Sequence, residues 1–188
     1  MAAIAVALGA NLPSRHSSIA NTLTSALALI AESRGFSVIR TSRWFRSPAF
    51  PPGSGPDFVN GATLIESELE PDQILGVLHE IEERLGRERN RRWAPRVCDL
   101  DLLFHADLIL PDRRTVEDWI EIDRGKAQVV APPRLILPHP RLHERAFVLV
   151  PLMDVAPEWR HPVIGRTIRE MTARLQFEEL RDVRPLSS

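Results

Sequence analysis

The sequence has no tyrosine, one cysteine and one lysine among its 188 residues. Without tyrosine, no chemistry that needs a phenol is open to it. Cys98 alone excludes an internal disulfide and a multi-cysteine zinc site. Lys126 stands in RGKAQ rather than in GxxxxGK(S/T), which excludes a Walker-type phosphate loop. A Schiff-base enzyme would have only this lysine, in a polar stretch, to use. No apolar run reaches membrane-spanning length, and MAAIAVALGAN has neither a basic leader nor a full apolar core, so we expect a cytoplasmic protein without a membrane partner. A formal net charge of −1 argues against a general nucleic-acid binder. Hydrophobic residues at 44% and charged residues at 26% fit a globular fold, here expected as one domain over 1–188.

The apolar pattern sets out the elements. Ile4 to Leu8 reads as a buried strand ending at Gly9, and Asn11, Pro13 and Ser14 as a helix start. Ile19, Leu23, Leu27 and Ile30 follow at helical spacing, with Gly35 as the stop. Phe36 to Ser42 reads as a second strand, Ser47 to Pro56 as a Pro/Gly loop, and Phe58 to Ile65 as a third strand. Pro71 opens a helix with Ile74, Leu78, Ile81 and Leu85, stopped at Gly86. A basic loop (87–96) leads to a fourth strand, Cys98 to Phe104. The order β-α-β-β-α-β predicts an α+β, ferredoxin-like sandwich with C-terminal additions. Beyond it, Asp112 to Lys126 reads as a hairpin or a loop, and Gln128 to Leu137 as extended. Phe147 to Val150 reads as a strand, and Ile164 to Leu175 as a helix.

The chemistry concentrates in Asp99-Leu100-Asp101. Strand alternation puts both aspartates on one face, with Leu100, Leu102 and Phe104 on the other; their Cα atoms fall about 6.5–7 Å apart. Paired carboxylates repel unless cations lie between them, and Mg²⁺ takes such oxygens together with water and phosphate. An acidic edge strand would show the same residues. The preceding stretch 84–96, RLGRERNRRWAPR, carries six arginines and one glutamate, and guanidinium forks suit phosphate. A solvated charge run is the plainer alternative. Trp93 lies inside it, suited to stacking on a base or to closing the site. Phe58 and Asn60 share a strand face, which suits a flat, amide-bearing heterocycle and equally a satisfied sheet amide beside a core ring. His139 and His143 stand four apart with no third metal ligand apparent.

The segments AxALGANL, DFVNGA, RWxPRxxDLDLLF and LPHPRxxxRAFVLxPL occur in this order from Ile4 to about Leu175. Together they resemble the 6-hydroxymethyl-7,8-dihydropterin pyrophosphokinase family of folate biosynthesis. The resemblance implies transfer of diphosphate from ATP to the pterin hydroxymethyl group, release of AMP, and two Mg²⁺ ions, in a monomer acting on small molecules. It also implies residue roles. Asp99 and Asp101 would bind the metal and, with Arg87 and Arg96, carry catalysis. Glu82, Arg87, Arg89, Trp93, Arg96, Arg134, His139 and Arg145 would surround ATP. Ser47, Pro48, Phe50, Phe58, Asn60 and Phe147 would form the pterin pocket. The chain departs from the pattern in GAN for GSN, in Phe58 for a frequent tyrosine, and in Pro140 after His139. It also carries an insertion near 111–131. A two-metal nucleotidyl transferase would share the aspartates but release pyrophosphate. An RNA-binding sandwich would place aromatics where the aspartates stand.

Overall fold

The computed structural model describes residues 2–13, 17–49, 55–86, 97–122 and 132–186. Strand β1 (Ala2–Ala10) is central, paired antiparallel with β4 (Phe58–Ser67) on one side and β5 (Asp99–His105) on the other. The outer edge of β4 is shared. Its C-terminal half pairs with β2 (Phe36–Thr41) and its N-terminal end with β3 (Phe45–Ser47). A two-residue strand, β6 (Arg184–Pro185), adds to β3.

Two helices close one face. Helix α1 (Ile19–Glu32) starts at Ser18, whose hydroxyl accepts from the Asn21 N–H, rather than at the Asn11 to Ser14 cluster; Ser14 lies outside the described residues. It buries Leu23, Ala26 and Ile30, the spacing of a single stripe. Helix α2 (Pro71–Arg84) begins with proline at its first position, where the missing N–H costs nothing, and buries Ile74, Leu78 and Ile81. Both helices end near glycines in the left-handed region, Gly35 at φ 89° and Gly86 at φ 90°. Their stripes meet Ile4, Val6, Leu8, Val59, Leu100 and Leu102 in one core.

The later chain closes the other face. Helix α3 (Arg113–Glu121), capped by Asp112, falls where a hairpin or loop was expected. Helix α4 (Ala146–Val155) replaces the strand expected over Phe147 to Val150. A continuous apolar run has no period to tell helix from strand; here both sides are covered, with Val148, Leu149, Leu152 and Val155 buried. The single terminal helix expected over 164–175 is shorter: α5 (Ile168–Thr172), with α6 (Phe177–Arg181) beyond it. Of the expected extended stretch 128–137, residues 128–131 lie outside the described ones, and Leu137 forms a lone antiparallel bridge with Leu110.

Two bulges also revise the strands. The register runs Val6 to Leu102 and then Ala5 to Phe104, leaving Leu103 as the extra residue. Phe104 therefore does not share a face with Leu100 and Leu102. It turns to the second core, where Trp159 stacks on it at 3.9 Å between ring centres. The second bulge skips Ile39 in β2, leaving it 46% exposed.

Candidate active site

Among the described residues, one end of the second face is less covered, with Asp99, Asp101, Ala7 and Gly9 half-buried, and the sheet register shows how they stand together. Asp99 pairs with Gly9, Gly9 with Asn60, and Asn60 with Phe45, so these four residues form one row across four strands. In the next row Asp101 pairs with Ala7 and Ala7 with Ala62. Paired residues point to the same side, and between the aspartates and Asn60 stand only glycine and alanine. The floor is therefore low in its middle. Asp99 and Asp101 are half-buried on this side, while Leu100 and Leu102 fill the helix-backed core, as the alternation predicted.

At the other end of the row, the Asn60 amide donates from Nδ2 to Ser47 Oγ at 2.9 Å, and both residues are buried. Phe58 pairs with Ser47 and is half-buried; Pro48 is exposed, and Phe50 lies outside the described residues. Phe147 sits on the first turn of α4, not on a strand. The Arg145 guanidinium lies over its ring, 5.7 Å from the centre. A cavity of about 340 Å³ at the β3–β6 edge takes in Pro48 with Arg46, Asp57, Asp182 and Arg184. Asp99, Asp101 and Asn60 do not line it.

Positive charge meets the aspartates from the segment that follows Leu137. Burial lowers the Arg145 pKa, and the Asp101 and Asp99 carboxylates oppose that shift. Burial pushes His139 down to about 3, helped by the nearby Arg145 charge and opposed by Asp99. His139 Nδ1 accepts the Arg141 backbone N–H at 3.1 Å. The neutral ring then carries its proton on Nε2 and offers a donor. Arg134 is exposed, and its charge acts on Asp112 at the start of α3.

Glu82, which the resemblance places around ATP, backs the strand that carries the aspartates. It is fully buried on α2, and its Oε1 accepts the Leu100 N–H at 2.7 Å. It holds β5 from beneath, between the two aspartates, instead of facing the open floor. Arg87, Arg89, Trp93 and Arg96 all lie outside the described residues.

The sequence reading missed several supports. Gly9 and Ala7 gave no chemical signal, being small residues in an apolar strand. Gly61 is needed because Trp44 packs over it: a Cβ there would sit 2.6 Å from Trp44 Cε3. Arg43 holds Asp154 of α4 through its backbone N–H, Nε and Nη2, at 3.1, 2.9 and 2.8 Å.

Comparisons with known proteins agree on one family. The family model described as 7,8-dihydro-6-hydroxymethylpterin-pyrophosphokinase matches residues 5–157. The chain belongs to this family. It is 35% identical over 180 residues to a 2-amino-4-hydroxy-6-hydroxymethyldihydropteridine pyrophosphokinase of Synechocystis, covering 96% of this chain and 80% of that one. It is also 35% identical to the enzyme of that name from Pseudomonas aeruginosa, over 92% of this chain and 91% of the relative. In fold it is similar to the crystal structure of wild-type Plasmodium falciparum HPPK-DHPS, with a TM-score of 0.64 and 16% identity. That match covers 92% of this chain but only 44% of the longer one. Within a pyrophosphokinase fold, the open floor is where two acidic side chains, a bonded amide and the Arg145–His139 pair converge.

Proposed function

We propose that the chain transfers the β,γ-diphosphate of ATP to the hydroxymethyl oxygen of 6-hydroxymethyl-7,8-dihydropterin, releasing AMP, as a step of folate biosynthesis. The row Asp99–Gly9–Asn60 carries this reading. It places a carboxylate and an amide two strand spacings apart, about 10 Å. That separation suits a flat heterocycle anchored at Asn60 whose side arm reaches phosphates held at the aspartates.

In this reading the Asn60 amide and Ser47 hydroxyl hold the pterin's amide edge, and Phe147 and Phe58 cover its ring. Asp99 and Asp101 would hold Mg²⁺. Among the described residues no group of three or more His, Cys, Asp or Glu could hold a metal. Two carboxylates leave room for water and phosphate, which matches the habit of that ion. When bound, the metal supplies charge to neutralise the triphosphate and to acidify a coordinated hydroxyl; the family resemblance puts its number at two.

The hydroxymethyl oxygen attacks the β-phosphorus in line. A new C–O–P link forms, the bond between β-phosphorus and the α,β-bridging oxygen breaks, and AMP departs with that oxygen while the hydroxyl proton is lost. Negative charge grows on the phosphoryl oxygens and on AMP. Arg145 meets it as a fixed cation, and His139 meets it with a neutral Nε2–H donor that needs no reorientation during reaction. Arg134 extends this side outward. Arg87, Arg89, Trp93 and Arg96 belong to the proposal as a phosphate-binding loop whose closure excludes water. Glu82 acts through the Leu100 backbone to set the aspartates' height. We further take the chain as one ferredoxin-like domain with additions, acting as a cytoplasmic monomer. Among the described residues no helix is long and apolar enough to cross a membrane.

Incubation with ATP, Mg²⁺ and 6-hydroxymethyl-7,8-dihydropterin, followed by chromatography, tests the reaction. AMP and pterin diphosphate in equal amounts are expected. Pyrophosphate release, or ATP consumption independent of pterin, would overturn it.

A further inference from the structure

The insertion helix α3 is tied into the chain around it. Arg113 Nη2 donates to the Pro162 carbonyl at 2.9 Å, and Val116 is fully buried. Just past its last turn, the Ile122 carbonyl accepts Arg141 Nη1 at 2.8 Å. At its start, Asp112 feels the charge of Arg134, and Leu110 bridges to Leu137 by two backbone hydrogen bonds of 2.8 and 3.0 Å. These ties all run to two stretches, the loop at Pro162 and the segment from Arg134 to Arg141.

Arg141 joins three pieces at once. Its side chain is held between the Ile122 carbonyl and an ion pair with Glu144 in the short turn Leu142–Glu144. Its own backbone N–H fixes His139 at Nδ1. The residue is only 9% exposed, so this is an internal strut and not a surface charge. Among the described residues it makes no hydrogen bond or ion pair to either aspartate, whereas His139, two residues before it, and Arg145, four after it, feel the aspartates' charge.

Resting on the nucleotide role proposed for Arg134, His139 and Arg145, we propose that Arg141 is a positioning residue. Through it the α3 insertion holds the nucleotide side of the site in its binding geometry. The backbone between Leu137 and Ala146 has only a single 3-10 turn, Leu142–Glu144, as regular structure. Such a segment would otherwise lose conformational freedom when ATP binds; a strut that orders it beforehand removes that cost. The imidazole is oriented by the Arg141 N–H in the way that outer groups orient catalytic ligands. The pterin end is built mostly on the paired strands β3 and β4, which carry Ser47, Phe58 and Asn60; only Phe147, on α4, adjoins this segment.

The test is a double variant, Arg141→Met with Glu144→Gln, so that no carboxylate is left buried beside a missing partner. Calorimetry with a non-hydrolysable ATP analogue and, separately, with pterin reads the two ends independently. The variant should weaken the ATP analogue about tenfold, raise KM for ATP in step, and hold pterin affinity within about twofold. Arg141→Lys, which keeps the charge but cannot span both acceptors, should recover part of the loss. Unchanged ATP affinity, or equal losses for both ligands, would overturn the proposal. Should the double variant not fold, Val116→Ala loosens α3 from a distance and must show the same selective direction; no selective change there overturns it too. Wild-type protein that yields no AMP refutes the functional reading and this inference together. A wild type that yields AMP beside variants with intact ATP binding refutes the strut alone.

Discussion

On the face of the sheet covered by α1 and α2, two stripes at regular helical spacing meet strand residues in a single closed core. The opposite face is covered by pieces from late in the chain: α4, α5 and the stacked pair Phe104–Trp159 at one end, while at the other Asp99, Asp101 and Gly9 are only half-buried and Ala7 borders the second core. The first face is filled by residues from β1, β4, β5 and both helices. The second gathers side chains from β1, β3, β4, β5 and the segment after Leu137. It keeps small residues, Gly9 and Ala7, in the middle of the floor.

The sharpest break in this contrast comes at the open floor. Asp99→Ala and Asp101→Ala should each lower AMP formation by at least about 100-fold, because each removes a carboxylate proposed to hold Mg²⁺. The thermal melt should stay unchanged, since neither side chain fills a core. Near-normal turnover at saturating Mg²⁺ in either variant would remove the metal role and, with it, the functional meaning of the unfilled face.

The closed end of the same face carries a different liability. His161 is fully buried, and its Nδ1 accepts the Val163 and Ile164 N–H groups at 3.2 Å each. Burial, with the neighbouring His143 and Arg113, pushes its pKa from 6.5 down to about 4. The folded form thus binds the proton less readily than the unfolded form. The stability this neutral ring contributes is complete above about pH 6.5, is lost as pH falls towards 4, and levels off below that. The full window amounts to about 3 kcal/mol. Urea unfolding at pH 7 and pH 5 should show most of this loss, and His161→Asn, which keeps an acceptor, should flatten the decline. Parallel curves for the two proteins would show that His161 does not set it.

The helix-backed face should respond to volume. Gly61→Ala forces a methyl against Trp44 and should cost about 1–3 kcal/mol, read as a lower urea midpoint with the slope unchanged. A neutral result would mean that Trp44 swings aside freely. The smallest effect belongs to neither face: Phe177 is 71% exposed on α6, and Phe177→Ser should change stability by no more than about 0.5 kcal/mol.

How far each region could be read from the sequence follows the same division. Ile19, Leu23, Leu27 and Ile30, and then Ile74, Leu78 and Ile81, announce their helices because a 3.6-residue period is a local property. The alternation that sends Asp99 and Asp101 away from Leu100 and Leu102 is equally local. It fails at Phe104, where the bulge at Leu103 reverses the face, because a bulge depends on what the neighbouring strand pairs with. The run Phe147 to Val150 read as a strand because burial on all sides erases periodicity. Helix α3 gave a polar pattern whose one fully buried side chain, Val116, carries too little signal. The spacing of Arg141 and Glu144, three apart, was visible, but the partner that gives it meaning is Ile122, 19 residues earlier.

The sequence by itself determined the chemistry of this protein: an acidic pair in an apolar strand, arginines suited to phosphate, an aromatic and an amide on one face, and a motif order that points to one family. It also determined the two helices that back the sheet, because capping residues and apolar stripes act within a few residues of one another. Only the tertiary structure decided that Asp99, Gly9, Asn60 and Phe45 stand in one row, since register is set by pairing between distant segments. It alone decided that Glu82 lies beneath β5 and that helix α3 is fastened through Arg141 to the segment between His139 and Arg145. A side chain's type is written in one residue. What it faces depends on chain that arrives from elsewhere, and burial and hydrogen bonding across that distance leave no periodic trace in the sequence.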